Sequence, residues 1–468
     1  MIQVFVTNVY SRLSDYTEEL ERHLTVPYPK YWFSQKYKMG LWDGMYHFLK
    51  IPSLKFPTGL LFLVEEFSQQ AGLRLEVVDQ RHCPISDLEK ALSRVSPRML
   101  SGIVLRDYQV KAVRTAVSQG RGILELPTGS GKTEIAIAIT KALGLRTLFL
   151  VHTRDLLYQT AERFRKRLNS GARIGIIGDQ EFEVKEITVA TVQSLSSRMK
   201  SDLSTTRKLL SWFEVMFQDE THHSSAPTFF KIGMFMHNAY FRMGLSGTAL
   251  RRDVLSNMKV MALTGDIIYR LQTTELIERG TLSDIEIRMI ENSEIVSGTT
   301  WQQIYERGIV QCLVRNNKIA QIATTHWREG RKVMILVRQI EHGELLRDLL
   351  EQECQVPAKF VWGRHASVER ERVKEEFNRD GNFVLIASPI YDEGVDLPEV
   401  NVLIMAAGGK SEVKTLQKIG RGLRRKRDYS TLLVYDFNDS GAKYLSKHSV
   451  ERLKTYQKEG FKVKEVAI

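Results

Sequence analysis

The sequence predicts an α/β protein, with two tandem parallel-sheet domains preceded by a small α+β N-terminal domain. Three observations predict it. From about Ser101 onward, short apolar runs alternate with helical stretches, as expected of a parallel sheet covered by helices. The runs form two successive series, GILEL to FRMGLSG and then RKVMILV to STLLVYDF. The first 95 residues lack that alternation and mix strand-like and helical segments. A chain of 468 residues is also too long for one ordinary domain. We therefore expect domains over residues 1–95, 96–285 and 286–468.

Taken in order, IQVFVTNVY has strand character and YTEELERHLTV has helical spacing and charge. Tyr28 to Phe48 then carries eight aromatics, Tyr28, Tyr31, Trp32, Phe33, Tyr37, Trp42, Tyr46 and Phe48, among Lys30, Lys36 and Lys38. In so small a domain most such rings are expected in the core. Gly40 and Gly44 flank a turn that would present Trp42, and an exposed ring there would suit nucleic acid. GLLFLVEEFSQQAG and LRLEVVD read as a helix and a strand. In the second domain the strand-like runs are GILEL, TLFLVHT, ARIGIIG, ITVATV, FEVMFQDE and FRMGLSG. Thr281 to Gly298 is expected to carry the crossing into the third domain. There the runs are RKVMILV, AKFVWG, NFVLIAS, VNVLIMAA and STLLVYDF, and a charged helix and short strand follow from Gly441.

Composition narrows the class. Hydrophobic residues make up 43% and charged residues 26%, the balance of a water-soluble globular chain. No apolar run approaches a membrane span, and the N-terminus lacks a secretory signal pattern, so a cytoplasmic protein without a membrane partner is expected. Cys83, Cys312 and Cys354 are far apart and form neither a metal-ligand spacing nor an even disulfide set. The net charge of +12 favours a polyanionic partner. It is concentrated: residues 410–468 hold 15 Lys+Arg against 7 Asp+Glu, whereas residues 1–90 hold 10 against 11.

Three stations carry chemistry. In LPTGSGKT, Leu126 to Thr133, a strand leads through a glycine-rich turn into a helix, the context of a phosphate-binding loop. Gly129 and Gly131 let several backbone N–H groups face one anion, and the helix N-terminus adds its dipole. Lys132 can reach the outer phosphates of a nucleotide such as ATP, and the Thr133 hydroxyl can hold Mg²⁺. The strict pattern has Gly where Leu126 stands. Asp219-Glu220 follows an apolar run 86 residues after Thr133, where one carboxylate can hold Mg²⁺ and the next can deprotonate the attacking water. Arg421 and Arg424, three apart, share one helix face and could reach a γ-phosphate as arginine fingers do.

Together these stations resemble the motifs of superfamily-two helicases of the DExH type. LRDYQ resembles the adenine-reading motif, with Arg106 stacking on the base and Gln109 bonding its edge. LPTGSGKT matches motif I, which implies that Thr128, Gly129, Ser130, Gly131, Lys132 and Thr133 bind nucleotide. VHTRDLLYQ, from Val151, resembles motif Ia, TVQSL resembles the later strand-contacting motif, and Asp219 to His222 matches motif II. SGTA, from Ser246, stands in the place of motif III, and ILVRQIEHGELL, from Ile335, resembles motif IV. EGVDLP supplies Gly394 and Asp396 as motif V, and QKIGRGLRR supplies Gln417, Arg421 and Arg424 as motif VI. The resemblance implies two RecA-like domains with ATP and Mg²⁺ between them, and strand contacts from Thr153, Arg154, Thr191, Gln193, Arg338 and Ser388.

KYKMGLWDGMYHFL and LKFPTGLL resemble the N-terminal domain of UvsW-type phage helicases, relatives of RecG and XPB that remodel branched DNA. That implies a DNA partner, branched or forked, with single-stranded DNA or RNA as further ligands. It also implies a monomer working in recombination, repair or replication in an infected host cytoplasm, with Trp42 a DNA-stacking candidate. The competing readings are an RNA helicase or RNA chaperone, a restriction-type duplex DNA translocase, and a branched-DNA binder with a relic ATP site. The intact Lys132, Asp219, Glu220, Arg421 and Arg424 argue against the last.

Overall fold

The computed structural model describes residues 2–127, 129–168, 173–221, 226–247, 250, 253–272, 275–276, 279, 284–362, 367–388, 400–409, 431–458 and 460–467. Thr128, Gly394, Asp396, Gln417, Arg421 and Arg424 lie outside the described residues, as do His222, Thr248 and Ala249. The chain divides into two units, one of residues 1–126 with 131–270, the other of 271–468 with 127–130.

The N-terminal strands are β1 (Ile2–Val6), β2 (Tyr10–Leu13), β3 (Thr25–Pro27), β4 (Met45–His47), β5 (Lys55–Pro57) and β6 (Leu75–Asp79). They form a four-stranded sheet in the order β5-β2-β1-β6 and a separate β3-β4 pair. In β1 the residues alternate between buried and half-buried, so Ile2, Val4 and Val6 face the core as a period of two requires. This core is not self-contained. Leu255, Met258 and Ala262, on the helix Val254–Thr264, pack into it beside Phe56, Leu60 and Val64. Gly59 lies so close to the backbone of Met261 and Ala262 that any side chain would overlap their carbonyls.

The next sheet contains β7 (Arg121–Glu125), β8 (Thr147–Val151), β9 (Ile174–Gly178), β10 (Glu181–Glu183), β11 (Ile187–Thr191), β12 (Val215–Asp219), β13 (Phe241–Ser246) and β14 (Ile267–Arg270). Their order is β10-β9-β11-β8-β12-β13-β7-β14, parallel except for the β9-β10 hairpin. The central strands are buried on both faces, which explains their continuous apolar runs. Parallel strands joined by helices place every strand's C-terminal end on one edge, and that edge gathers the site.

The second unit has a parallel sheet in the order β17-β18-β16-β19-β20-β15-β21. Its strands are β15 (Asp284–Asn292), β16 (Val333–Leu336), β17 (Ala358–Val361), β18 (Val384–Ala387), β19 (Val402–Met405), β20 (Thr431–Asp439) and β21 (Lys462–Val466). β15 corrects the sequence reading. Nine residues expected to begin a crossing form a strand between β20 and β21, so the expected boundary at 285/286 falls inside an element of the second unit. Its alternating DIEIRMIEN buries Ile285, Ile287, Met289 and Ile290, while Glu286 pairs with Arg288 at 2.8 Å and Lys464 at 2.6 Å. Among the described residues no helix is long and apolar enough to cross a membrane, and none of the three cysteines is in a disulfide.

Candidate active site

The glycine-rich turn leaves β7 and enters the helix Lys132–Leu143. Gly129 and Gly131 have φ of 83° and 82°, in the left-handed region where glycine pays no Cβ penalty. Gly131 also faces Gln109, whose Nε2 would be overlapped by a Cβ at that position. Gln109 is buried in the first turn of the helix Asp107–Gln119, and its Oε1 accepts the Arg106 backbone N–H at 2.9 Å. The sequence-predicted adenine-reading glutamine thus sits beside the sequence-predicted phosphate loop. Arg106 is exposed at the start of that helix and donates to Tyr108 Oη at 3.0 Å.

Lys132 begins its helix, and Thr133 follows it half-buried. Asp219 ends β12, separated from β7 by β13 in the sheet. The Leu126 N–H donates to Ser246 O at 2.8 Å, tying the start of the turn to the end of β13. Lys132 Nζ donates to Glu220 Oε1 at 2.9 Å, so the first and second stations, 88 residues apart, meet directly. Glu220 holds φ at 47°, uncommon for a residue with a side chain, and its N–H is bonded to Asp219 Oδ1 at 3.1 Å. Backbone cost is accepted here to aim a carboxylate at the lysine.

Electrostatics follow from this crowding. Burial and the adjoining Glu220 charge push the Asp219 carboxyl above the usual range, while Lys132 and His152 pull it the other way. Burial works against the Lys132 ammonium, yet Glu220 and Asp219 outweigh it and raise its pKa. The Asp219 carboxylate at the strand end and the hydroxyl of half-buried Thr133 are oxygen donors of the kind that Mg²⁺ takes. Sequence reasoning missed His152, which follows β8 and acts electrostatically on Asp219.

The expected strand contacts of the first unit gather at two neighbouring strand ends. β8 and β11 are paired, and each leads into a helix, Arg154–Arg167 and Val192–Ser201. Thr153 caps the first by accepting from Leu156 N at 3.3 Å. Thr191, buried, caps the second and donates to Ser194 Oγ at 2.9 Å. Gln193 is exposed and bridges the two by donating to His152 O at 2.8 Å. Two helix N-termini side by side favour anions such as phosphates. Arg154, exposed, is held by Asp179 at 2.6 Å. Asp179 and Gln180 both have positive φ, and Asp179 and Glu181 accept from the Tyr158 hydroxyl at 2.9 and 2.7 Å. Nothing in the sequence signalled that acidic turn.

In the second unit Arg338 is exposed, with its guanidinium 5.9 Å from the Tyr305 ring. Ser388 is buried just after β18, where its N–H donates to Val361 O at 3.1 Å. Trp42 belongs to neither group. It is half-buried between β3 and β4, donating from Nε1 to Met45 O at 3.0 Å and meeting the Tyr28 ring edge-on at 5.6 Å.

Comparison with known proteins adds an independent finding. The family described as type III restriction enzyme, res subunit, matches residues 102–251, and the helicase conserved C-terminal domain matches residues 315–426. The DNA 3'-5' translocase XPB2 of Sulfurisphaera tokodaii is 30% identical over 377 residues, covering 72% of this chain and 82% of that protein. The chain belongs to the superfamily-two helicases. The ATP-dependent DNA helicase uvsW of Enterobacteria phage T4 is 26% identical over 472 residues, covering 92% of this helicase and 91% of its relative. A fragment of a type I restriction HsdR subunit from Vibrio vulnificus shares the fold, with a TM-score of 0.59 at 19% identity over 87% of this chain and 74% of that one. The two parallel-sheet domains are RecA-like, and membership of this family of ATP-dependent DNA helicases and translocases implies ATP as fuel and DNA as partner.

Proposed function

We propose that this helicase couples ATP hydrolysis of the DExH type to movement along DNA and uses it to unwind or branch-migrate forks and four-way junctions. The observation that carries the chemical half is the convergence of Lys132 and Glu220 beside Asp219 and Gln109. In this reading the γ-phosphate replaces Glu220 as the partner of Lys132. The freed Glu220 then takes the proton from the attacking water. Gln109 and Arg106 hold the adenine, and the N–H groups of Thr128, Gly129, Ser130 and Gly131 receive the phosphates. Thr133 and Asp219 would hold Mg²⁺, which when bound neutralises phosphate charge. Arg421 and Arg424, with Gln417, Gly394 and Asp396, are proposed to complete the site from the second domain.

Thr153, Arg154, Thr191, Gln193, Arg338 and Ser388 are the proposed strand contacts, and phosphates are their proposed targets. Contacts of that kind hold a strand without reading its sequence, which suits an enzyme that must act anywhere. The relative named as an ATP-dependent DNA helicase from phage T4 covers 92% of the chain and supports the DNA-helicase half of this reading, while the branched-DNA half rests on the resemblance carried by KYKMGLWDGMYHFL and LKFPTGLL. We further propose that the chain works in recombination, repair or replication of phage DNA within a host cytoplasm, and that it acts as a monomer. ATPase rates and strand displacement on forks, four-way junctions, linear duplexes and RNA duplexes test this. Preferential action on branched DNA is expected, and equal stimulation by structured RNA would favour the RNA alternative.

A further inference from the structure

The aromatics of residues 28–44 do not behave as a core. Of the eight between Tyr28 and Phe48 only Phe48 is buried, at 2% exposure, whereas Trp32 is 53% and Phe33 70% exposed. Met39 and Leu41 add 70% and 71% exposure on the same connection between β3 and β4. Exposed apolar side chains clustered on one short loop mark an interaction surface.

The loop is built to hold them there. Tyr31 is its strut: the ring lies against Gly44, where φ is 78° and any side chain would overlap it. Tyr31 meets Trp32 edge-on at 5.3 Å and Tyr37 edge-on at 4.7 Å. The Tyr28 N–H donates to Gly44 O at 2.8 Å and closes the base. Below, the Lys259 ammonium lies 6.0 Å from the Tyr28 ring and 5.0 Å from Tyr46, joining the loop to the helix Val254–Thr264. The ridge is therefore fixed to the unit that holds Lys132 and Glu220.

Its charge indicates the occupant. From Thr25 to Trp42 there is no Asp or Glu, while Lys30, Lys36 and Lys38 are all exposed. This holds in a region of residues 1–90 whose charged residues otherwise nearly balance, at 10 basic against 11 acidic. Apolar ring faces among three exposed lysines, with Asp43 the one acidic residue of the connection, match nucleobases with their phosphates. Paired bases hide their faces in the stack, so the partner must offer unpaired ones. Two such ridges would repel one another through their lysines, which disfavours a second copy.

We propose that Trp32 and Phe33 stack on nucleotides left unpaired at a DNA branch point, with Lys30, Lys36 and Lys38 on the flanking phosphates. This assigns the ridge, in place of Trp42, as the surface that engages the junction, and it rests on the branched-DNA reading above. The test uses the full chain and its Trp32→Ala/Phe33→Ala variant. The substrates are a fork, a linear duplex and a single strand, the fork and single strand carrying 2-aminopurine at unpaired positions. The variant should lose roughly tenfold or more in fork and single-strand affinity, and the stacking quench of 2-aminopurine, at an unchanged melting temperature. Its linear-duplex affinity should stay within about twofold of wild type. Equal affinity and quench in variant and wild type would overturn the proposal. So would a wild-type self-association that the variant abolishes while DNA binding is retained. Failure of the branched-DNA reading looks different: wild type would be stimulated equally by fork and duplex, whatever the variant does.

Discussion

Two clusters of opposite charge, one in each unit, show how similar ion pairs serve different ends. Lys132 and Glu220 meet at 2.9 Å with side chains 14% and 19% exposed, at the end of a sheet where a ligand can arrive. Arg452 and Asp436 meet at 2.8 Å with side chains 3% and 0% exposed. Arg452 also donates to Phe437 O at 2.7 Å and Gly409 O at 3.2 Å, and Tyr456 donates to Asp436 at 2.6 Å. Nearby, Arg315 pairs with Asp439 at 3.0 Å and donates to Ala406 O at 2.9 Å, while Tyr305 donates to Ala407 O at 2.7 Å. The second cluster places three of its donors on backbone carbonyls just beyond β19, those of Ala406, Ala407 and Gly409. The first pair is exchangeable, because a phosphate can take the place of the carboxylate. The second is structural, because nothing entering from water can replace its partners.

Breaking each pair should separate these roles. Lys132→Ala should abolish nearly all ATP turnover, a loss of a hundredfold or more, while the melting temperature falls less than in Arg452→Ala, since the Lys132–Glu220 pair keeps some contact with water. A large fall in melting temperature would place Lys132 with the structural cluster. Arg452→Ala should do the reverse in thermal melts, leaving Asp436 buried without its cation at a cost of about 3–5 kcal/mol. A melting curve indistinguishable from wild type would end the structural reading.

Acid should sharpen the contrast through His342 in the second unit. The ring is buried, with Asn316 Oδ1 3.0 Å from Nε2, and Asn316 in turn donates to Val310 O at 2.8 Å. Burial, with Arg315 nearby, pulls its pKa down to about 3. The folded state keeps the ring neutral while the unfolded chain protonates it near pH 6.5. Its contribution is therefore complete above about pH 6.5 and is lost as pH falls from there toward 3, by about 1.4 kcal/mol per unit. Urea melts of wild type and His342→Gln between pH 7 and 5 check this, and parallel pH dependences would contradict it. The smallest effect is expected at Gln109. Gln109→Ala should raise the KM for ATP about fivefold with kcat nearly kept, since one hydrogen bond is worth about 1 kcal/mol. A kcat loss matching that of Lys132→Ala would give Gln109 a different role.

What the sequence made legible follows from where each signal comes from. The phosphate loop and Asp219-Glu220 could be read because their chemistry demands fixed residue types at fixed spacing, and strands β7, β8, β12 and β13 because burial on both faces demands continuous apolar runs. β15 escaped because its Glu286 and Arg288 break such a run, Glu286 pairing with Arg288 on its own strand and with Lys464 on the neighbouring one. The aromatic rule failed between Tyr28 and Trp42 because the rings pack on one another while Leu255, Met258 and Ala262 help fill the core instead. Those three residues lie some two hundred positions away in the chain, so composition could not reveal them. Removing residues 1–95 would strip that cover from the helix Val254–Thr264, and the remainder should melt at a lower temperature than the full chain. The tie between Arg154 and Asp179 rests on a turn with two positive φ values, which no sequence pattern announced.

The most direct test of the engine is ATP binding and hydrolysis by Glu220→Gln beside wild type, with saturating fork DNA. The substitution keeps size and polarity but removes the charge that would accept the proton. Turnover should fall by about a hundredfold or more while ATP still binds with at least wild-type affinity, because Lys132 no longer has an anion to release. Hydrolysis near the wild-type rate would show that Glu220 is not the base and would contradict the account at its centre.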